Sequence, residues 1–108
     1  MPDVMGHAKS FFDESIPDGA FNQRRGLVQY RNGSSEPPRP DDLLVFTDTK
    51  YGHVGIVTEV GDGFVEMIQQ NILGRTRQRL SIVVSNRHFF VSAPPRPAGW
   101  LRKQIPGP

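Results

Sequence analysis

The sequence of 108 residues contains no cysteine. Disulfide bonds and zinc sites with thiolate ligands are therefore excluded for this chain. The chain also cannot by itself carry out nucleophilic catalysis through sulfur, because the attacking group in that chemistry is a thiolate. Any such reaction would need a cysteine from outside this sequence.

Long apolar runs and a strong charge excess are also missing. No stretch approaches the roughly 18 apolar residues of a membrane-spanning helix, and residues 1–12 lack the apolar core of a signal peptide. We therefore expect no membrane partner and favour a cytoplasmic location. The 13 Lys and Arg residues stand against 11 Asp and Glu, a net charge of +2. So small an excess does not indicate nucleic acid as a partner.

Helical periodicity is confined to the start of the chain. Residues 4–14 place Val4, Ala8, Phe11 and Phe12 on one side, which predicts a short helix. Residues 20–30 leave a short helix and irregular structure both open, and 31–41 is a loop rich in proline. The strands are predicted at residues 43–46, 53–60, 64–70, 75–85 and 88–91. We therefore predict a single α+β domain over residues 1–108, with a polar tail at 103–108.

Alternation along residues 75–85 predicts a half-buried strand. One face carries Arg75, Arg77, Arg79 and Ser81, and the other carries Leu80, Ile82 and Val84. The arginines could bind an anionic surface or a nucleic acid. We favour a solvated face, because no aromatic stacking platform accompanies them.

The strands around Gly61-Asp62-Gly63 form a predicted hairpin with two possible registers. A three-residue loop places Val60 opposite Phe64, and then Val57 faces Met67, Gly55 faces Gln69 and His53 faces Asn71. In this register Gly55 would leave open space between His53 and Gln69. A two-residue Asp62-Gly63 turn shifts the pairing by one and separates His53 from Asn71. The local sequence leaves both registers open.

Two other histidines and one tryptophan have simpler interpretations. His7 and His88 lack neighbouring ligand residues at metal spacing, so we expect no metal site, and no motif indicates a cofactor. His88 is predicted at a strand edge. Trp100 is predicted to anchor the C-terminal segment by packing.

Three motifs in order resemble the CHAP family of cysteine, histidine-dependent amidohydrolases and peptidases. They are residues 39–46 (RPDDLLVF), 51–57 (YGHVGIV) and 68–71 (IQQN). Asn32-Gly33-Ser34 and Gly99-Trp100-Leu101 resemble the glutathionylspermidine and trypanothione amidase branch in particular. The resemblance covers residues 4–102.

The resemblance implies a papain-like fold in which a cysteine at a helix N-terminus attacks an amide carbonyl. It implies His53 as general base and acid, Gln69 at the position of the usual glutamate, and Asn71 as the asparagine of the motif. The implied substrate is a peptide-like or polyamine-conjugate molecule, and the reaction needs no cofactor.

Three departures from the family pattern open alternatives. The nucleophile is absent, which implies a domain truncated at its N-terminus, with a missing segment or a second chain covering the sheet. Asp41 stands at the usual glycine, where it lacks the freedom of Gly at positive φ. Gln69 can orient His53 but cannot stabilise an imidazolium by charge. The chain is therefore either an amidase or peptidase that needs an external cysteine, or an inactive ligand-binding module.

Overall fold

The computed structural model describes residues 12–47, 53–71, 74–92 and 96–104. These residues form eight strands: β1 (Ala20–Asn22), β2 (Leu27–Arg31), β3 (Leu43–Phe46), β4 (His53–Gly61), β5 (Phe64–Asn71), β6 (Gly74–Ser85), β7 (His88–Val91) and β8 (Gly99–Lys103). They lie in one sheet in the order β1-β2-β8-β3-β4-β5-β6-β7, and every neighbouring pair is antiparallel. The predicted strands from residue 43 to residue 91 are confirmed.

The predicted α+β class is wrong, because the described part of the chain is an antiparallel sheet without a helix. Most of the helix predicted over residues 4–14 lies outside the described residues, and its last residues are not helical. Asp13 Oδ1 accepts hydrogen bonds from the Ser15 amide (2.9 Å) and hydroxyl (2.6 Å). Such a side-chain turn competes with the helix for backbone donors. Within the described ranges there is also no helix capable of crossing a membrane.

Residues 20–30 form neither a helix nor irregular structure but the hairpin of β1 and β2. Gly26, at φ +72°, closes the turn by donating its amide hydrogen to the Asn22 carbonyl (2.8 Å). The Gln29 side chain is fully buried and accepts from Asn22 Nδ2 (3.0 Å) while donating to the Asp13 carbonyl (2.7 Å). Buried positions in this hairpin are occupied by polar side chains that hydrogen-bond to one another and to the backbone. The alternation of apolar residues that predicts strands is therefore missing.

Strand β3 is buried on both faces, as its continuous apolar run predicts. Leu44, Val45 and Phe46 are each 0% exposed, because core side chains pack on both faces of the sheet at this strand. Leu44 and Phe46 belong to a core cluster completed by Val57, Val65, Met67, Leu80, Val91 and Trp100. Val45 packs on the other face with Phe12 and Leu101. The sheet thus has an inner face over the main core and a second face over a smaller one.

An ion pair joins the start of β3 to β8. The Asp42 carboxylate is buried and accepts hydrogen bonds from Arg102 Nε (3.0 Å) and Nη2 (2.8 Å). Arg102 Nη1 also reaches Glu36 Oε1 at 3.0 Å. Burial opposes the charge, but the hydrogen bonds to Asp42 and Glu36 outweigh it and raise the pKa of Arg102. Within Pro40-Asp41-Asp42, Asp42 therefore has a structural role as the buried ion-pair partner of Arg102.

The alternation predicted for β6 holds along most of the strand. Leu80 is 2% exposed on the inner face, and Ile82 packs against the same core. Val84 departs from the pattern, since 58% of it is exposed near the end of the sheet. The apolar residues of an alternating strand are therefore buried only as far as the core extends.

Candidate active site

His53 is the first residue of β4 and lies directly opposite Phe46 at the end of β3. The two rings are stacked, with centroids 4.4 Å apart and planes inclined by 11°. Phe46 is fully buried, whereas His53 is half-buried. The candidate catalytic imidazole therefore rests on a fixed aromatic surface and remains accessible from outside.

The β4–β5 hairpin combines features of both registers that the sequence leaves open. At its tip Gly61 pairs with Phe64, so Asp62-Gly63 is a two-residue turn and the predicted pairing of Val60 with Phe64 is wrong. Further along, a β-bulge between Val57 and Glu59 absorbs one residue. Val57 then pairs with Met67 and Ile56 with Ile68, which confirms the predicted pairing for this part of the hairpin.

The bulge decides which register reaches the candidate site. Gly63, at φ +84°, supplies the left-handed conformation that a tight hairpin turn needs. The extra residue is Thr58, whose hydroxyl donates to the Glu66 carbonyl at 3.2 Å. Continued three positions beyond Ile56 and Ile68, the same register places His53 opposite Asn71. The structure does not describe the Asn71 side chain, so the pair of His53 with Asn71 stays a prediction.

The open space expected over Gly55 is absent. A Cβ atom at Gly55 would lie 2.5 Å from the Met67 sulfur and 3.3 Å from Met67 Cγ. Met67 is 1% exposed and belongs to the main core. The missing side chain of Gly55 therefore accommodates a core methionine, and substrate access along the sheet between His53 and Gln69 is not supported.

Gln69 lies on the same face of β5 as Met67 and is partly buried. Its Oε1 atom is buried and has no hydrogen-bond partner among the described residues. A buried acceptor without a partner costs about 1–3 kcal/mol. Gln69 is thus an acceptor available to a donor on the inner face, where His53 also lies.

The arginine face of β6 is engaged with a carboxylate. Glu66 is buried, and its two oxygens lie 3.4 Å from Arg77 Nη1 and 3.8 Å from Arg79 Nη2. The Arg79 guanidinium also stacks on Phe64 at 4.1 Å. Both arginine side chains are about 60% exposed or more. This arrangement favours the solvated face over an anion-binding surface, while the Arg75 side chain lies outside what the structure describes.

Two surface grooves formed by described residues lie away from His53. One, of ≈ 240 Å³, is lined by Arg39, Pro40, Asp41, Asp42, Arg102 and Lys103. The other, of ≈ 260 Å³, is lined by Asn32, Val83, Phe90, Val91, Ser92 and Arg96. Neither is lined by a residue of the predicted catalytic set.

Asn32, His88 and Trp100, which the sequence also singles out, have structural roles. The Asn32 side chain bonds both the amide (2.8 Å) and the carbonyl (3.1 Å) of Val91, and so covers the outer edge of β7. His88 begins this edge strand, as predicted, with Nδ1 at 2.8 Å from the Gly33 carbonyl. Trp100 is 0% exposed and donates to the Glu36 carbonyl at 3.2 Å, which confirms its predicted packing role.

Phe46 ends the first motif, residues 39–46, but the motif by itself gives it no role in the site. A phenylalanine at the end of an apolar strand predicts only burial, and its contact with His53 depends on the pairing of β3 with β4. The sequence signal for this contact is the short connection between β3 and β4, because strands joined by a short connection usually pair antiparallel. The end of β3 and the start of β4 then lie side by side. Fixing the register would need a known turn geometry.

Comparison with known proteins supports the resemblance that the motifs carry. The family model described as CHAP domain matches residues 3–71, more than half of the chain. Trypanothione synthetase of Crithidia fasciculata is 34% identical over 74 residues, which cover 66% of this chain and 11% of that protein. The chain thus spans about a tenth of the length of this curated relative.

Proposed function

Because this chain belongs to the CHAP domain family, we propose that it supplies the histidine half of an amidase site whose thiol comes from a segment outside this sequence. The family assignment supports amidohydrolase-type chemistry. The observation that carries the proposal is the placement of His53, half-buried and stacked on Phe46, on the same face as Gln69 Oε1, which has no partner among the described residues.

In the proposed reaction His53 takes the proton of an incoming cysteine thiol. The thiolate attacks the carbonyl carbon of an amide, and His53 returns the proton to the nitrogen as the C–N bond breaks. Water then hydrolyses the thioester, with His53 as the base. The chain has no cysteine, so the first step needs the external sulfur atom.

Gln69 is the proposed orienting partner of His53. Its buried acceptor can receive a hydrogen from one imidazole nitrogen and so leave the other nitrogen as the base. Asn71, on the same strand, is the alternative partner. A neutral amide selects the tautomer but gives an imidazolium no charge stabilisation, so we expect a slower reaction than with glutamate at this position.

The proposed substrate is an amide conjugate of a peptide, such as glutathionylspermidine, with a peptidoglycan peptide as the alternative. The first choice follows from the name of the trypanothione synthetase relative. We propose no part for nucleic acid, since the described arginines on β6 are paired with Glu66.

Incubation of the pure chain with glutathionylspermidine, followed by measurement of released spermidine, tests the need for an external thiol. We expect no turnover. A fusion that places the cysteine-bearing helix expected of a CHAP amidase before this chain should hydrolyse the conjugate. His53→Ala should abolish that activity, and His88→Ala, which changes an exposed edge histidine, should retain it. Turnover by the unfused chain that His53→Ala removes would contradict the proposal.

The second candidate is a non-catalytic module that binds the same class of ligand. The absence of cysteine together with glutamine at position 69 favours it. Calorimetric titration of the pure chain with glutathionylspermidine separates the two functions. Binding by the chain, combined with an inactive but folded fusion, would support the module and count against the amidase.

A further inference from the structure

The contact between Phe46 and His53 joins a rigid residue to an accessible one. Phe46 is fully buried and belongs to the main core, so neighbouring side chains hold its ring in place. His53 is half-buried, and its imidazole forms no hydrogen bond or ion pair with another described residue. The parallel stack, at 4.4 Å and 11°, is therefore the described contact that sets the plane of the imidazole.

A parallel stack restricts one rotation of the imidazole and leaves another free. The two ring nitrogens lie in the ring plane, so stacking presents them sideways and leaves them available for proton transfer. A half-turn about the Cβ–Cγ bond exchanges Nδ1 with Cδ2 and preserves the stack. The aromatic contact can thus fix the plane, whereas a hydrogen-bond partner must choose between the two orientations.

We propose that Phe46 is a positioning residue for His53, which holds the imidazole plane while the amide on β5 selects its orientation. This inference rests on the proposed function for its catalytic meaning. Its structural content, that the ring plane depends on Phe46, stands on the stacking geometry alone. An aromatic pair of this kind changes the population of the unstacked ring by roughly 2- to 12-fold.

The test is NMR spectroscopy of the imidazole resonances of His53 in the intact chain. Phe46→Leu removes the aromatic ring and keeps an apolar side chain. Val57→Ala is the matched control, because Val57 is equally buried in the same core cluster and lies on the strand of His53 without being its stacking partner. Phe46→Tyr restores an aromatic ring and serves as the rescue.

In the wild type and in Val57→Ala we expect the Phe46 ring current to shift the ring protons of His53 upfield. We also expect ¹³C relaxation to show that the motion of the imidazole is restricted. Phe46→Leu should lose the shift and increase the motion, and Phe46→Tyr should recover both. Unchanged His53 resonances in a folded Phe46→Leu chain would overturn the inference. An equal change in Val57→Ala would do the same, because it would assign the effect to a loosened core.

These measurements need no thiol and no substrate. If the cysteine-bearing fusion is inactive while Phe46→Leu frees the imidazole, the proposed function fails and the positioning role stands. If the fusion is active and Phe46→Leu leaves the His53 ring stationary, the proposed function stands and the positioning role fails.

Discussion

Replacing Asp41 by glycine should make this protein more stable. Asp41 has φ +78°, in the left-handed region that residues with a Cβ atom rarely adopt. Its backbone amide donates to the Val57 carbonyl at 2.8 Å, so the conformation is held by the pairing at the start of β3. Its carboxylate is exposed and forms no hydrogen bond or ion pair with the described residues. Glycine would keep the backbone bond and remove the steric conflict.

The expected gain follows from two opposing effects. A left-handed backbone costs a residue with a Cβ atom about 1–2 kcal/mol, and aspartate lies toward the lower end because its short polar side chain tolerates the region. Glycine loses more conformational entropy on folding, which takes back about 0.5–1 kcal/mol. We expect Asp41→Gly to raise the free energy of unfolding by up to about 0.5 kcal/mol, or the melting temperature by up to about 2 °C.

Urea unfolding followed by Trp100 fluorescence measures this change, because the single tryptophan is fully buried in the native state. Asp41→Ala is the matched control, since it removes the carboxylate but keeps a Cβ atom. Gly63→Ala is the reverse control: Gly63 has φ +84° with no atom within 4 Å of an added Cβ, so a loss of about 1 kcal/mol should come from the backbone alone. Equal stability of the glycine and alanine variants at position 41 would refute the reasoning.

Three further predictions concern other described contacts. Arg87→Gly should stabilise the β6–β7 turn by about 0.5–1 kcal/mol, because Arg87 has φ +67° where a type I′ turn favours glycine, and an unchanged melting temperature would contradict this. Arg102→Ala should destabilise the chain by about 3 kcal/mol by leaving the buried Asp42 without its ion-pair partner, and a double-mutant cycle with Asp42→Ala should give a coupling energy well above zero. Ser15→Ala should raise the lowered pKa of Asp13 toward 3.8, because the hydrogen bonds from the Ser15 hydroxyl and amide favour the ionised carboxylate. NMR titration measures this pKa, and an unchanged value would show that the Ser15 hydroxyl does not cause the lowering.

The lowered pKa of Asp13 determines the pH range in which this residue contributes to stability. A pKa lowered in the folded state contributes stability above the ordinary value of 3.8, and this contribution is lost as the pH falls through the lowered pKa. Ser15→Ala should therefore change stability in the same way at pH 7 and pH 5. A difference confined to that interval would point to another titrating group.

Much of the strand structure could be predicted because its signals are local. The apolar run of β3 and the alternation in β6 each reflect which faces are buried, and burial selects residue types directly. The turn at Asp62-Gly63 was one of two open alternatives for the same reason, since Asp-Gly suits a two-residue turn. The bulge at Thr58 carries no comparable signal, because any residue that tolerates the bend can occupy it.

The fold class could not be predicted with the same success. Phe12 suits an apolar helix face, but Asp13 bonds Ser15 and packs against Gln29, and these contacts come from residues 2 and 16 positions away. The hairpin of β1 and β2 is likewise held by the buried side-chain amides of Asn22 and Gln29. Alternating hydrophobicity does not predict strands of this kind. Tertiary context outweighed weak local preferences in both places.

The residues alone identify the motifs, the absence of a thiol and His53 as the histidine to which the CHAP resemblance gives the role of general base. These properties belong to residue types and their order along the chain. The stacking of His53 on Phe46, the filling of the Gly55 space by Met67 and the position of the buried Gln69 oxygen depend on which strands meet and in which register. The bulge at Thr58 sets the register of β4 against β5, whereas the pairing of β3 with β4 sets the stack. A shift of one position in either pairing would turn the side chains of one strand to the other face of the sheet.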